Sequence, residues 1–173
     1  MNKNKKISKK VILTLITLVV AFFIYLVVFA LFVENNYKSY KITGPGMYPT
    51  LISGETIKTD RHFSSVKIGD IVVFNNPQGA GILVKRVVAL GGEGIAINNN
   101  VVTVYKNDNL KNGFDPDTSY LPTGTKTSGN IDITVPRGDV YVLGDNRSDS
   151  VDSRIFGPIP TSSIIGVETS VIK

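Results

Sequence analysis

Cysteine is absent from the 173 residues. Disulfides, cysteine metal sites and cysteine nucleophiles are thereby excluded. Histidine occurs once, as His62 in the loop-like segment Asp60-Arg61-His62-Phe63. A single imidazole makes no zinc cluster, and nothing around it resembles a Ser-His-Asp triad, so His62 reads as an exposed loop residue. Internal repeats are missing. So is any stripe of basic residues interleaved with aromatics, which argues against a nucleic-acid surface. Charge itself is missing over one long run: from Val11 to Val33 there is no Asp, Glu, Lys or Arg.

That run predicts a membrane-spanning helix. Its 23 residues, at about 1.5 Å each, span roughly 34 Å, enough to cross a hydrocarbon core of about 30 Å. Ahead of it lie Lys3, Lys5, Lys6, Lys9 and Lys10, and such a cluster marks the cytoplasmic flank. A cleaved signal peptide would have an apolar region of about 7–15 residues followed by a small-x-small site. The run is longer, and Leu31-Phe32-Val33-Glu34-Asn35 offers no such site. The expectation is a cytoplasmic basic tail over 1–10, an uncleaved single-pass anchor over 11–33 in the plasma membrane, and a domain over 34–173 on the extracellular face. The tail also explains the net charge of +5: it holds five of the nineteen basic residues and none of the fourteen acidic ones, leaving fourteen of each sign beyond Lys10. The basic balance belongs to a lipid-facing tail.

Beyond the anchor, β-branched runs alternate with breakers. Strands are expected at Tyr37–Thr43, Thr56–Thr59, Ile71–Phe74, Ile82–Leu90, Gly94–Ile97, Val101–Tyr105, Ile131–Val135, Val140–Leu143 and Ile164–Ile172. Between them stand Ser53-Gly54, Gly69, Pro77-Gln78-Gly79, Gly91-Gly92, Asn98-Asn99-Asn100 and Pro136-Arg137-Gly138. This pattern predicts a mainly β domain, an antiparallel sandwich or barrel. Residues 106–130 are polar and rich in turn formers, and read as a surface excursion.

Three segments of this domain carry chemistry-bearing residues. The first is Thr43-Gly44-Pro45-Gly46-Met47-Tyr48-Pro49-Thr50-Leu51, whose glycines and prolines impose a tight, irregular backbone. The second joins Gly69-Asp70-Ile71-Val72-Val73-Phe74 to Val84-Lys85-Arg86-Val87-Val88. Adjacent strand residues point to opposite faces, so one of the two cations is expected to face inward. A buried lysine has a lowered pKa, and its neutral amine can act as a base. The third runs from Gly144-Asp145-Asn146-Arg147-Ser148-Asp149-Ser150 to Val151-Asp152-Ser153-Arg154-Ile155-Phe156-Gly157. Its density of Asp, Arg and Ser suits a hydrogen-bonded loop that holds neighbouring elements in place.

In this order and spacing the segments resemble the type I signal peptidases, in the short single-anchor form of Gram-positive bacteria. The resemblance covers nearly the whole chain: the anchor, the G-x-G-M-x-P-T loop, G-D-I-V-V-F, K-R-V-V, and G-D-N-R-x-x-S-x-D-S-R-x-F-G. It implies a signal-peptidase-like β domain and a serine/lysine dyad that cuts signal peptides from secreted preproteins after small residues. By motif match Lys85 takes the position of the general base. Ser150 takes that of the serine orienting it, and Arg86, Asp152 and Arg154 that of a bracing charged cluster, with Asp145 and Asn146 in the same motif. Gly44, Met47 and Pro49 shape the loop beside the nucleophile. The chemistry calls for no metal and no cofactor.

One position departs from the family pattern. The nucleophilic serine precedes the methionine of the first motif, and here that residue is Gly46. Glycine cannot form an acyl-enzyme, although its N–H can still donate to an oxyanion. Thr43, Tyr48 and Thr50 are poor substitutes on loop geometry. Two explanations follow: a pseudoenzyme that binds precursors without efficient cleavage, or an active peptidase whose serine has been replaced. The family includes degenerate Gram-positive members, some accompanying pilus operons. The partners implied are signal-peptide-bearing preproteins, pilin precursors among the candidates, and the lipid bilayer. A non-enzymatic membrane adaptor is the third alternative; it predicts no apolar groove. The reading carried forward is the impaired precursor binder.

Overall fold

The computed structural model describes residues 8–106, 113–114, 116 and 118–172. Lys3, Lys5 and Lys6 of the basic tail, and part of the 106–130 excursion, lie outside them. The chain forms two compact units, residues 1–36 and 37–173.

The first unit is one helix, α1 (Lys9–Asn36). Its 28 residues extend for about 42 Å, and it is long and apolar enough to cross a membrane. The threonine hydroxyls inside the apolar run are satisfied within the helix. Thr14 donates to the Lys10 carbonyl at 2.9 Å and Thr17 to that of Thr14 at 2.8 Å. Helices suit a lipid interior because every polar group finds its partner locally. The helix outlasts the charge-free run through Glu34, Asn35 and Asn36, where the Asn36 amide donates to the Phe32 carbonyl at 2.8 Å. The β unit therefore starts at Tyr37, three residues later than the boundary expected at 34.

The second unit is built from two antiparallel sheets. Its strands are β1 (Tyr37–Lys41), β2 (Thr56–Asp60), β3 (Ile71–Asn75), β4 (Ile82–Leu90), β5 (Gly94–Asn98), β6 (Val101–Tyr105), β7 (Gly113–Phe114), β8 (Ile131–Thr134), β9 (Asp139–Leu143), β10 (Ile159–Pro160) and β11 (Ile164–Ile172). The larger sheet has the order β1-β2-β11-β3-β4-β9-β10 and the smaller β7-β6-β5-β8. All nine expected strands are present. The shortest elements were beyond a reading by periodicity, which needs several residues to repeat: β7 and β10, two residues each, the four-residue helix α2 (Ser153–Phe156) and a 3-10 turn at Thr161–Ser163. Pro160 is tolerated because β10 is an edge strand, where a missing N–H costs no ladder bond.

Side-chain alternation distributes the core over both faces of the larger sheet. In β3, Val72 and Phe74 join a cluster with Val87, Val140, Val142 and Ile159. Ile71 and Val73 join another with Tyr40, Met47, Leu51 and Ile57. In β9, Tyr141 and Leu143 turn towards Ile95, Ile97, Val102 and Val104 and so pack the smaller sheet onto the larger. The period of two thus places β3, β4 and β9 at the centre of the domain, buried on both faces. These central strands carry or lead into two of the three motif segments.

Phe74 is fully buried and packs edge-to-face on Phe156, with ring centroids 6.1 Å apart. Phe74→Ala is expected to destabilise the domain by about 3–5 kcal/mol. Ile155→Ala, at a side chain 59% exposed on the same short helix, should change it by less than about 0.5 kcal/mol. Urea unfolding followed by circular dichroism checks both; equal losses would contradict the core assignment.

Candidate active site

Three stretches converge: the loop after β1, the strand β4, and the loop between β9 and α2. The first loop needs Gly44, whose φ of +81° is a left-handed conformation. A turn follows, closed by the Tyr48 N–H on the Pro45 carbonyl at 2.9 Å. Met47 and Leu51 then plug into the core, at 2% and 0% exposure. Pro49 follows a cis peptide bond.

The second loop is clasped to the first by Asn146. Its backbone N–H donates to the Gly46 carbonyl at 3.1 Å and its side-chain amide to that of Pro45 at 3.2 Å. Close approach here requires Gly144, since a Cβ on it would collide with Ser150 and with the Gly46 carbonyl. Asp152 anchors the far end of this loop and is fully buried. It accepts the Gly144 N–H at 3.0 Å, caps α2 through the Arg154 N–H, and takes two guanidinium bonds from Arg154 at 2.8 Å each. Arg154 in turn donates to the Arg147 carbonyl at 2.8 Å.

The sequence led us to expect one inward cation on β4. Both are buried: Lys85 is 6% and Arg86 9% exposed. The reason is separate compensation. Arg86 meets buried Asp145 in a two-pronged pair, at 2.9 and 2.6 Å, and donates to the Gly69 carbonyl at 2.8 Å. Such charge-assisted forks are the strong form of hydrogen bond. The guanidinium carbon also lies 3.8 Å from the centre of the Tyr120 ring, a cation–π contact. Tyr120 belongs to the 106–130 stretch expected to be a surface excursion, and Thr127 of that stretch is 3% exposed. Buried Arg147 ties both down, donating to the Thr127 hydroxyl at 2.7 Å and to the Tyr120 hydroxyl at 3.1 Å. Part of that stretch is thus a structural wall of the site. Arg147, Tyr120 and Thr127 were not singled out from the sequence; a buried arginine in a polar loop leaves no periodic signal.

Lys85 is treated differently. Its amine donates to the Val84 carbonyl at 2.9 Å, whereas ion pairs among the described residues hold Arg86 and Arg154. Burial pushes its pKa down, and the more distant charges of Asp152 and Asp145 oppose that only in part. This is the environment in which an amine loses its proton readily and can accept one.

Gly46 lies directly opposite. Its backbone is outside the left-handed region, so an L side chain fits there. A Cβ would stand 3.2 Å from Lys85 Nζ, 3.7 Å from Ser150 Oγ and 3.7 Å from the Asp149 carbonyl. The Ser150 hydroxyl is buried and has no hydrogen-bond partner among the described residues. Of the other hydroxyls nearby, Thr50 faces Arg86 at 3.5 Å and Tyr48 is 55% exposed. His62 is exposed, as expected. Beside Gly46 a cavity of about 100 Å³ runs between Ile42, Gly44 and Met47 on one side and Ile82, Leu83, Val84 and Lys85 on the other. The arrangement offers a proton acceptor, a backbone N–H at Gly46 and a slot lined by apolar and polar groups alike, and it has no side chain at the point where a nucleophile would stand.

The family model described as signal peptidase, peptidase S26, matches residues 15–172. Signal peptidase I V of Bacillus subtilis is 36% identical over 159 residues, covering 82% of this chain and 89% of that protein. Signal peptidase I U of the same organism is 32% identical, covering 99% and 90%. Among solved structures, a signal peptidase I from Enterococcus faecalis superposes with a TM-score of 0.50 at 25% identity, over 62% of this chain and 99% of that one.

Lys85 dictates a pH signature. A lysine whose folded pKa lies below its ordinary value near 10.5 binds fewer protons folded than unfolded in the interval between. The resulting penalty is fully present below the folded pKa and fades as pH rises towards 10.5. Lys85→Met is therefore expected to raise the urea midpoint at neutral pH, with the gain shrinking at alkaline pH. A gain independent of pH would show that Lys85 is not held as described.

Proposed function

The chain belongs to the signal peptidase family, peptidase S26, and on that premise we propose that it binds the signal peptides of secreted precursors and cleaves them poorly or not at all. The observation that carries this reading is Gly46 facing Lys85 across 3.2 Å from its would-be Cβ. Every group around the reaction centre is in place except the one that makes the covalent bond. In this reading Lys85 is the retained base, and the unpaired Ser150 hydroxyl stands near the same would-be Cβ of Gly46. Arg86–Asp145 and Asp152–Arg154 hold strand and loop in register, with Asn146 clasping the loops together. Gly44, Met47 and Pro49 shape the wall of the slot.

The slot supports a peptide ligand over an adaptor role. Ile42, Met47 and Leu83 line it with apolar surface, and an extended chain lying there has a strand edge to pair with and a pocket for a side chain. The apolar helix α1 supports a membrane anchor. The lysines ahead of it favour a cytoplasmic amino terminus and an outer β domain. Pilin precursors are one class of cargo that suits a binder without cleavage.

A second reading is favoured by the intact surroundings of Lys85: the working peptidase with its serine exchanged for glycine. The Gly46→Ser variant addresses both. The backbone accepts the side chain, and Lys85 Nζ has to shift by only a few tenths of an ångström. In detergent, with a preprotein as substrate, the parent is expected to be inert. The variant is expected to cut, with a gain of up to about 10⁶-fold, the scale lost when a serine nucleophile is removed. Cleavage by the parent would overturn the proposal. A folded but silent variant would mean that the machinery has diverged beyond position 46, and would leave binding as the activity.

A further inference from the structure

Replacing a serine by glycine does more than delete a nucleophile, because it also frees the groups that the serine would have occupied. Lys85 Nζ and Ser150 Oγ approach the same point, 3.2 and 3.7 Å from where a Cβ on Gly46 would stand. The amine has three hydrogens when charged, and among the described residues its one hydrogen bond is to the Val84 carbonyl. The Ser150 hydroxyl is out of water with no hydrogen-bond partner among the described residues. Buried polar groups are almost always paired, and one left alone points to a missing partner. Gly46 itself lines the cavity, and no hydrogen bond from its N–H to the described residues is found.

The ligand that satisfies this set is an anion with two acceptor oxygens on one carbon. An internal peptide carbonyl brings one oxygen and has to carry the chain onward through its nitrogen. A terminal carboxylate brings two oxygens with about four lone-pair sites, ends there, and carries the charge that buried Lys85 lacks. One oxygen lies at the Gly46 N–H and the other fills the space that a serine side chain would claim, against Lys85 and Ser150. The cavity of about 100 Å³ alongside then holds the small side chain of the terminal residue. We propose that this site captures peptides by a free terminal carboxylate, so that its preferred ligand is an already cleaved signal peptide or another peptide acid. The inference rests on the reading of the slot as a signal-peptide groove and names the chemical form bound there. A working serine enzyme would have to release such a product; this chain, lacking the serine, is free to keep it.

The test uses the full chain in detergent micelles. Two fluorescent peptides of one signal-peptide sequence are compared by anisotropy, one ending in the carboxylate and the other in the carboxamide. The acid is expected to bind about tenfold tighter or more, the difference between a charge-assisted and an ordinary hydrogen-bonded contact. Lys85→Met, verified as folded by circular dichroism, should erase the preference. Gly46→Ala, which adds only a methyl group at the contested point, should weaken the acid selectively and leave the amide nearly unchanged. Equal affinity for acid and amide would overturn the inference while leaving peptide binding intact. A preference that survives both substitutions would overturn it as well, since the carboxylate would then be read elsewhere. Binding of neither peptide would overturn the groove reading itself, and this inference with it.

Discussion

Two neighbouring cations on one central strand have to be held out of water, and most of the site follows from how each is treated. An uncompensated charge in an apolar interior costs several kcal/mol. Arg86 avoids that cost through Asp145, which lies 59 residues away in sequence. The pair therefore locks the β9–α2 loop against β4 wherever else that loop might go. Once Asp145 is placed, the following Asn146 is delivered to the carbonyls of Pro45 and Gly46, and the first loop is pinned as well. Lys85 receives no such partner. It is left dry, short of charge compensation and facing Gly46, which is the condition a proton-accepting amine requires.

The same region shows how backbone space is rationed. Gly144 is needed because the two loops run too close for any side chain. Gly44 is needed for its left-handed backbone. Gly46 is needed for neither reason: it has an ordinary backbone, and a Cβ there asks only the flexible end of Lys85 to give by a few tenths of an ångström. The first two glycines are structural requirements of the loop, while the third is a chemical choice. That contrast bears on function because nothing in the fold compels the absence of a side chain at position 46.

Membership of the signal peptidase family and the intact surroundings of Lys85 point to one substrate class, precursors with signal peptides. Around Gly46 the structure brings together a buried amine, a buried hydroxyl with no partner among the described residues, and a backbone position without a side chain. Retaining a buried lysine costs stability at neutral pH, and a bound anion would offset that cost.

Much of this was legible in the sequence. Local chemistry wrote the helix as a charge-free run and the nine longer strands as β-branched runs between glycines, prolines and asparagines. The resemblance to the signal peptidases was enough to single out Lys85, Ser150 and Gly46 as candidates for one site. Other features depended on contacts between residues far apart in the chain, and no local pattern announces those. The burial of both Lys85 and Arg86 is one, because only the arrival of Asp145 makes a second buried cation tolerable. The recruitment of Tyr120 and Thr127 is another: in sequence they sit in a polar stretch, and only Arg147 and Arg86 draw them inward. The sequence alone determined which groups are present and that the nucleophile is missing, since side-chain chemistry is written residue by residue. Tertiary structure alone decided that Lys85 and Ser150 converge on the space beside Gly46, because that convergence is made by the meeting of three distant segments.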